Sequence, residues 1–127
     1  IAYGQDMLPA FWSATSDMAA PLRMDSPTDI ARAQRMRSAM GLSGGQLITN
    51  PIPKDAEIPA EELAPIIAQA LEEADAAGIN AKAVTPFLLG RIFELTEGRS
   101  LTANIALVRN NARLAAQIAI ALCKEDG

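Results

Sequence analysis

Two asparagines near the end of the chain, Asn104 and Asn111, have the type and spacing to do chemistry. They lie seven positions apart in a stretch that reads as helix, so they stand nearly above one another. Val108, Ala115, Ile118 and Leu122 share their stripe, whereas Arg109, Arg113, Gln117 and Lys124 fall opposite. The pattern places two amides in the middle of a face expected to be buried. An unpartnered buried amide costs about 1–3 kcal/mol, so either other protein groups or a ligand must satisfy them.

Other reactive types are few. Histidine is absent, which removes Ser-His and Cys-His nucleophile pairs and the usual zinc sites from this chain. Nothing near the single cysteine, Cys123, would activate it, and it reads as inert packing or chain-end surface. Lys82, ahead of Thr85-Pro86-Phe87, suits a Schiff-base nucleophile only if desolvated; a surface lysine before a helix is the plainer reading. The Glu72, Glu73 and Asp75 carboxylates diverge around a helix and read as a solvated face, not a metal site. Gly44-Gly45 lacks a lysine and precedes an apolar run, so it is a turn and not a phosphate loop.

Several elements must position these groups. Ile1 to Phe11 starts as the end of a strand and turns near Gly4 and Pro9. The stretch from Trp12 to Pro21 reads as an irregular surface loop, and Leu22-Arg23-Met24 as a short strand. Ser26, Pro27 and Asp29 form a helix start, with Ile30, Ala33, Met36 and Met40 expected inward and Gly41 as the stop. Gln46 to Thr49 is expected to be a buried strand, ended by Asn50-Pro51-Ile52-Pro53. That ending puts Asn50 at the carboxyl end of a sheet, where ligands collect in open α/β folds, although an Asx turn is the plainer reading of the residue.

Pro59 to Ala77 is the clearest amphipathic helix, with Leu63, Ile66, Ile67, Ala70, Leu71 and Ala74 on one stripe. Thr85-Pro86 repeats the cap-then-proline pattern ahead of a helix that is apolar over a wide arc and expected to be covered on more than one side. Gly98 ends that helix, and Ser100 is expected to cap the last one, from Leu101 to about Lys124. The order is α/β with too little sheet to stand alone.

The chain's 127 residues suffice for one domain with a modest core, and 50% apolar with 20% charged residues fits a folded chain. A net charge of −4 argues against nucleic-acid binding. No apolar run reaches the roughly 18–20 residues of a membrane span. One cysteine allows no internal disulfide and fits a reducing, cytoplasmic setting. The start at Ile1, without methionine and in mid-pattern, reads as a segment of a longer product whose upstream part supplies further strands.

Several stretches together resemble a known family. Asn50-Pro51-Ile52-Pro53, Lys82 to Leu89, the Glu94-Leu95-Thr96 to Ser100-Leu101 connection, and Ala103 to Val108 with Asn110-Asn111-Ala112 look like the C-terminal portion of the pseudouridine-5′-phosphate glycosidase, or indigoidine synthase A-like, family. Ala2-Tyr3-Gly4, Pro9-Ala10-Phe11, Arg23 to Ser26 and Gly41 to Gly45 fit in the same order, so the resemblance covers essentially the whole chain. It implies the helix-rich C-terminal part of an α/β/α sandwich, here with few strands. It also implies an enzyme that reversibly cleaves the C–C glycosidic bond of pseudouridine 5′-phosphate to uracil and ribose 5-phosphate, with manganese (Mn2+) as cofactor and a homotrimeric assembly.

The family's nucleophilic lysine, acid/base glutamate and metal-binding aspartate match nothing here, so the resemblance gives this chain no catalytic residue or metal ligand, and Lys82 is not the nucleophile. It makes Asn104 a contact to the uracil base, a role suited to an amide that both donates and accepts. Asn50 and Thr85 are further substrate-binding candidates by position, and Asn111 is assigned to supporting hydrogen bonds. The alternative is a non-catalytic, helix-rich binding module whose asparagines bond only to protein.

Overall fold

Three short extended segments, all parallel, set the frame. In the computed structural model, which describes residues 1–124, β1 (Ala2–Tyr3) pairs with β2 (Arg23–Met24), Ala2 facing Arg23 and Tyr3 facing Met24. On its other side β1 meets the chain at Thr49 through a single parallel bridge from Ala2, with Tyr3 N–H donating to Thr49 O at 2.9 Å and Thr49 N–H to Ile1 O at 2.8 Å. The expected strand over Gln46 to Thr49 is thus reduced to one bridged residue. Leu47 is 79% exposed, so the run is not buried either. Its apolar residues have no sheet on both sides to enter, which is what a buried parallel strand requires.

The first helix forms as its start signal dictates. Helix α1 (Pro27–Ala39) has Pro27 in its first turn and Ser26 as N-cap, whose Oγ accepts from Asp29 N–H at 3.1 Å and donates to the Asp29 carboxylate at 2.7 Å. Its buried residues are Ile30 and Ala31. Met36 and Met40 are exposed, Met40 by 71%, so the inward stripe expected through them is corrected. The helix instead turns the side bearing Arg35 towards the last helix, where Arg35 donates to Ala121 O at 3.0 Å.

Helix α2 (Ala60–Ala76) buries Leu63, Ala70 and Ala74, with Ile66 and Ile67 packed against the core and Leu71 left exposed. Glu73 corrects the reading of its carboxylates as a solvated face. It accepts from Arg91 of α3 (Val84–Leu95), one of the contacts measuring 3.1 Å, while Arg91 also donates to Glu94 at 2.8 Å. Hydrogen bonds from Arg91, then from Gln69, hold the Glu73 carboxyl below its ordinary value, and Glu73, then Glu94, raise Arg91.

A one-turn 3-10 helix, Ala81–Ala83, precedes α3 and takes the place of a side-chain cap. Thr85 therefore lies inside α3 and is not its N-cap. Ile92 is the buried residue of α3, while Leu89 and Phe93 are exposed, so within this chain the helix is covered on one side only. Helix α4 (Arg99–Cys123) follows Gly98, whose φ of 84° is the left-handed conformation that glycine adopts without strain. Ser100 falls within α4 and is not its cap. Thr96 performs the capping, its Oγ accepting from Ser100 N–H at 3.1 Å and donating to Ile92 O at 2.7 Å.

The core gathers Trp12, Ala14, Ile52, Ile58, Leu63, Ala70, Ile92, Ala103 and Leu107. The stretch after Trp12 is a loop, but its first residues are not at the surface: Trp12, Ser13 and Ala14 are buried. Trp12 Nε1 donates to Ser100 O at 3.0 Å, Ile58 N–H to Trp12 O at 2.8 Å and Ser13 Oγ to Ile58 O at 2.6 Å. Among the described residues no helix is long and apolar enough to cross a membrane.

Two measurements check this packing. Trp12→Ala should lose about 3–5 kcal/mol of stability in urea titrations, and Trp12→Phe, which keeps most of the volume, about 1–2 kcal/mol. A carboxyl with a lowered folded-state pKa adds stability above its unfolded value that is lost as pH falls through the folded one. The Glu73 contribution should therefore be complete above the ordinary 4.5 and fade below it. Glu73→Gln should flatten that acid limb in urea melts taken across pH; an unchanged limb would show that the Arg91 pair contributes nothing.

Candidate functional site

The sequence pattern of α4 is out of phase with its burial by about one residue. The buried positions are Ser100, Ala103, Leu107 and Leu114, not the stripe of Asn104, Val108, Asn111, Ala115, Ile118 and Leu122. Val108 is 55% exposed and Asn111 is exposed, whereas Asn104 is half-buried. The two amides are therefore not core groups. They stand at the margin of the buried face, where the loop from Pro9 to Trp12 lies along the helix.

That margin holds two neighbouring cavities. The first, of about 230 Å³, is lined by Trp12, Leu89, Phe93, Ser100, Leu101 and Asn104. It is an apolar chamber with one side-chain amide, and among the described residues that amide has no hydrogen-bond partner. The second, of about 240 Å³, is bounded by Phe11, Thr49, Asn50, Leu107 and Asn111, among others. Asn50 Nδ2 donates to Asn111 Oδ1 at 3.2 Å across 61 positions of sequence. Next to it, Asn110 Nδ2 donates to Pro51 O at 3.1 Å, so two consecutive asparagines of α4 hold the Asn50-Pro51 turn.

The second cavity sits where the sequence placed Asn50. Thr49 ends the third parallel segment, so Asn50 lies at the carboxyl ends of the segments, the usual position of ligands in open α/β sheets. The Asn111 bond uses one amide hydrogen of Asn50 and leaves its carbonyl oxygen without a partner among the described residues. Thr85 is not brought to this place: it is exposed on α3 and lines neither cavity. Lys82 is likewise exposed.

Sequence reasoning missed Phe11 and Trp12, whose rings meet edge to face with centroids 4.6 Å apart and divide the two cavities. The signal available was a lone tryptophan beside a phenylalanine after a proline in an otherwise polar stretch. Phe11 has a φ of 45°, left-handed backbone that is strained for a bulky residue. Mutual hydrogen bonds between Ala10 and Ser13, at 3.0 and 2.9 Å, hold that turn. Arg109 and Arg113 line a separate, more polar cleft of about 390 Å³ with Asp55 and Asn110. Among the described residues no cluster of three or more His, Cys, Asp or Glu could hold a metal ion.

Residues 1–121 match the family model described as indigoidine synthase A like protein. The chain belongs to this family. It is 69% identical over 122 residues to the pseudouridine-5′-phosphate glycosidase of Paracoccus denitrificans, a match covering 96% of this chain and 40% of that protein. It is 66% identical to the enzyme of the same name from Jannaschia sp., with the same coverage. Among solved structures, the prealnumycin C-glycosynthase AlnA in complex with ribulose 5-phosphate superposes with a TM-score of 0.85 at 30% identity, covering 95% of this chain and 40% of that one. The indigoidine synthase A-like protein of Thermotoga maritima superposes with a TM-score of 0.82 at 31% identity, covering 97% and 40%. The chain thus spans about 40% of the length of the family members it matches.

The Asn50–Asn111 contact is exposed, so it should add little to stability. A double-mutant cycle with Asn50→Ala and Asn111→Ala should return a coupling below about 1 kcal/mol in chemical denaturation. A coupling of several kcal/mol would make the pair a structural clasp and not a ligand-facing one.

Proposed function

We propose that this chain supplies part of the substrate pocket of a glycosidase that cleaves the C–C glycosidic bond of pseudouridine 5′-phosphate to uracil and ribose 5-phosphate. The observation that carries the reading is Asn104, an amide without a protein partner among the described residues at the wall of an apolar cavity, in a chain 69% identical to an enzyme of that name. The bound ribulose 5-phosphate of the AlnA structure supports a pentose phosphate as the other half of the substrate.

The chemistry fits the division of labour. A C-glycoside has no heteroatom leaving group to protonate, so its cleavage needs an electron sink, and an imine formed by a lysine on the opened sugar would provide one. The lysine, the acid/base carboxylate and the ligands of a manganese ion would then lie in the portion of the family domain beyond this chain, as the resemblance implies; among the described residues no group of three or more His, Cys, Asp or Glu is gathered where it could hold the ion. This chain's own residues bind and orient. The cavity wall of Trp12, Leu89 and Phe93 would exclude water around a flat base, and Asn104 would read one edge, donating to a carbonyl and accepting from an N–H. Asn50, held by Asn111, would offer its free carbonyl oxygen at the sheet end. Thr85 lies away from both cavities and is the weakest of the three candidates. A homotrimer in the cytoplasm, as the resemblance implies, remains part of this proposal.

The test uses the Paracoccus denitrificans enzyme with its matching portion replaced by this chain, assayed on pseudouridine 5′-phosphate with manganese. Asn104→Ala should lower kcat/KM about 5- to 150-fold, the equivalent of about 1–3 kcal/mol for one buried hydrogen bond. Unchanged kcat/KM would remove Asn104 from the site, and no cleavage by the parent chimera would refute the assigned activity for this chain.

A further inference from the structure

Phe11 holds a backbone conformation that its own side chain disfavours. Ala10 and Ser13 exchange two backbone hydrogen bonds, at 3.0 and 2.9 Å, so Phe11 and Trp12 form a two-residue hairpin loop. Both favoured turns for such a loop need left-handed backbone at the first position, which glycine fills without strain. Phe11 takes it with a φ of 45°. Among the described residues only Ala81 and Glu97 share a positive φ without being glycine, and neither carries a ring.

The shape of the loop is imposed from outside Phe11. Trp12 is fastened to Ser100 and Ile58, Ser13 Oγ donates to Ile58 O, and Ala14 N–H donates to the Glu57 carboxylate at 2.8 Å. A strained residue persists only where its surroundings over-determine it, and such residues gather at ligand clamps. The core does not account for the ring, because Phe11 is 51% exposed and lies outside the buried cluster. It stands edge-on to Trp12 and lines the cavity that holds Asn50 and Asn111. It takes no part in the chamber of Asn104.

We infer that Phe11 is a substrate contact for the sugar half, its ring packed against the carbon skeleton of a pentose phosphate beside the Asn50 carbonyl oxygen. This rests on the proposed glycosidase reading and adds a division of the pocket to it. The base lies on the Asn104 side of the Phe11–Trp12 pair and the pentose on the Asn50 side. A pentose matches both groups, with C–H bonds to meet the ring and hydroxyls to donate to an amide carbonyl that no described residue engages.

The chimera of this chain with the Paracoccus denitrificans enzyme tests the contact when run in the direction of synthesis, from uracil and ribose 5-phosphate. Phe11→Gly should raise the KM for ribose 5-phosphate about 10-fold and leave that for uracil within about twofold. Phe11→Ala should show the same rise with a lower urea midpoint than Phe11→Gly, since it loses the ring but keeps the strained Cβ. Phe11→Tyr, which keeps the ring, should restore the parent KM. An unchanged KM for ribose 5-phosphate in an active chimera overturns the contact and leaves the glycosidase reading standing. Equal rises in both KM values also overturn it, because they report a general distortion through Trp12. So does a midpoint of Phe11→Gly below that of Phe11→Ala, which would show a turn without strain. Calorimetry with ribose 5-phosphate covers a chimera that does not turn over. Weaker binding by Phe11→Gly than by the parent then supports the contact without the assigned reaction, and equal binding, or none by the parent, rejects it.

Discussion

The indole of Trp12 is the point on which the described structure hangs. Its N–H reaches Ser100 O across 88 positions, and its ring is buried among residues from the Ile52–Ile58 turn, α2, α3 and α4. Its backbone carbonyl takes the Ile58 N–H, and its neighbour Ser13 donates to Ile58 O. One residue thereby ties the loop after β1, the turn before α2 and the first turn of α4 to each other. The two cavities exist because this residue and Phe11 are held against α4, one ring facing each.

What could be read from sequence follows from where local chemistry is decisive. Ser26-Pro27-Asp29 specifies a helix start from groups within one turn, and the structure forms it as written. Thr85-Pro86 carries the same signal but fails, because a 3-10 turn over Ala81–Ala83 begins the helix earlier and leaves no free N–H for Thr85 to cap. The α4 stripe was misplaced for a different reason. The helix has apolar residues on two separate faces, one closing the core through Ala103, Leu107 and Leu114 and one exposed through Leu101, Ile105 and Val108. Periodicity cannot choose between two apolar faces about 150° apart with a half-apolar strip between them. Asn104 and Asn111 lie between them, which is why they looked buried.

The α/β class was legible in the alternation of elements, and Asn50 at the sheet end in the Asn-Pro stop. The meeting of Asn50 with Asn111 was not, since it depends on a packing partner 61 positions away. Nor was the role of Trp12, because a polar stretch full of serine, threonine and aspartate normally stays at the surface, and only tertiary burial pulls its first residues inside.

The span of the Trp12–Ser100 bond also has a kinetic side. Loop closure over so long a stretch comes before any of its contacts can repay the ordering. During synthesis Trp12 emerges 88 residues ahead of its acceptor, which appears only with the first turn of the last helix. Until then the ring can gather Ile52, Ile58 and Leu63 around it, but its N–H lacks the Ser100 acceptor that fixes it against α4.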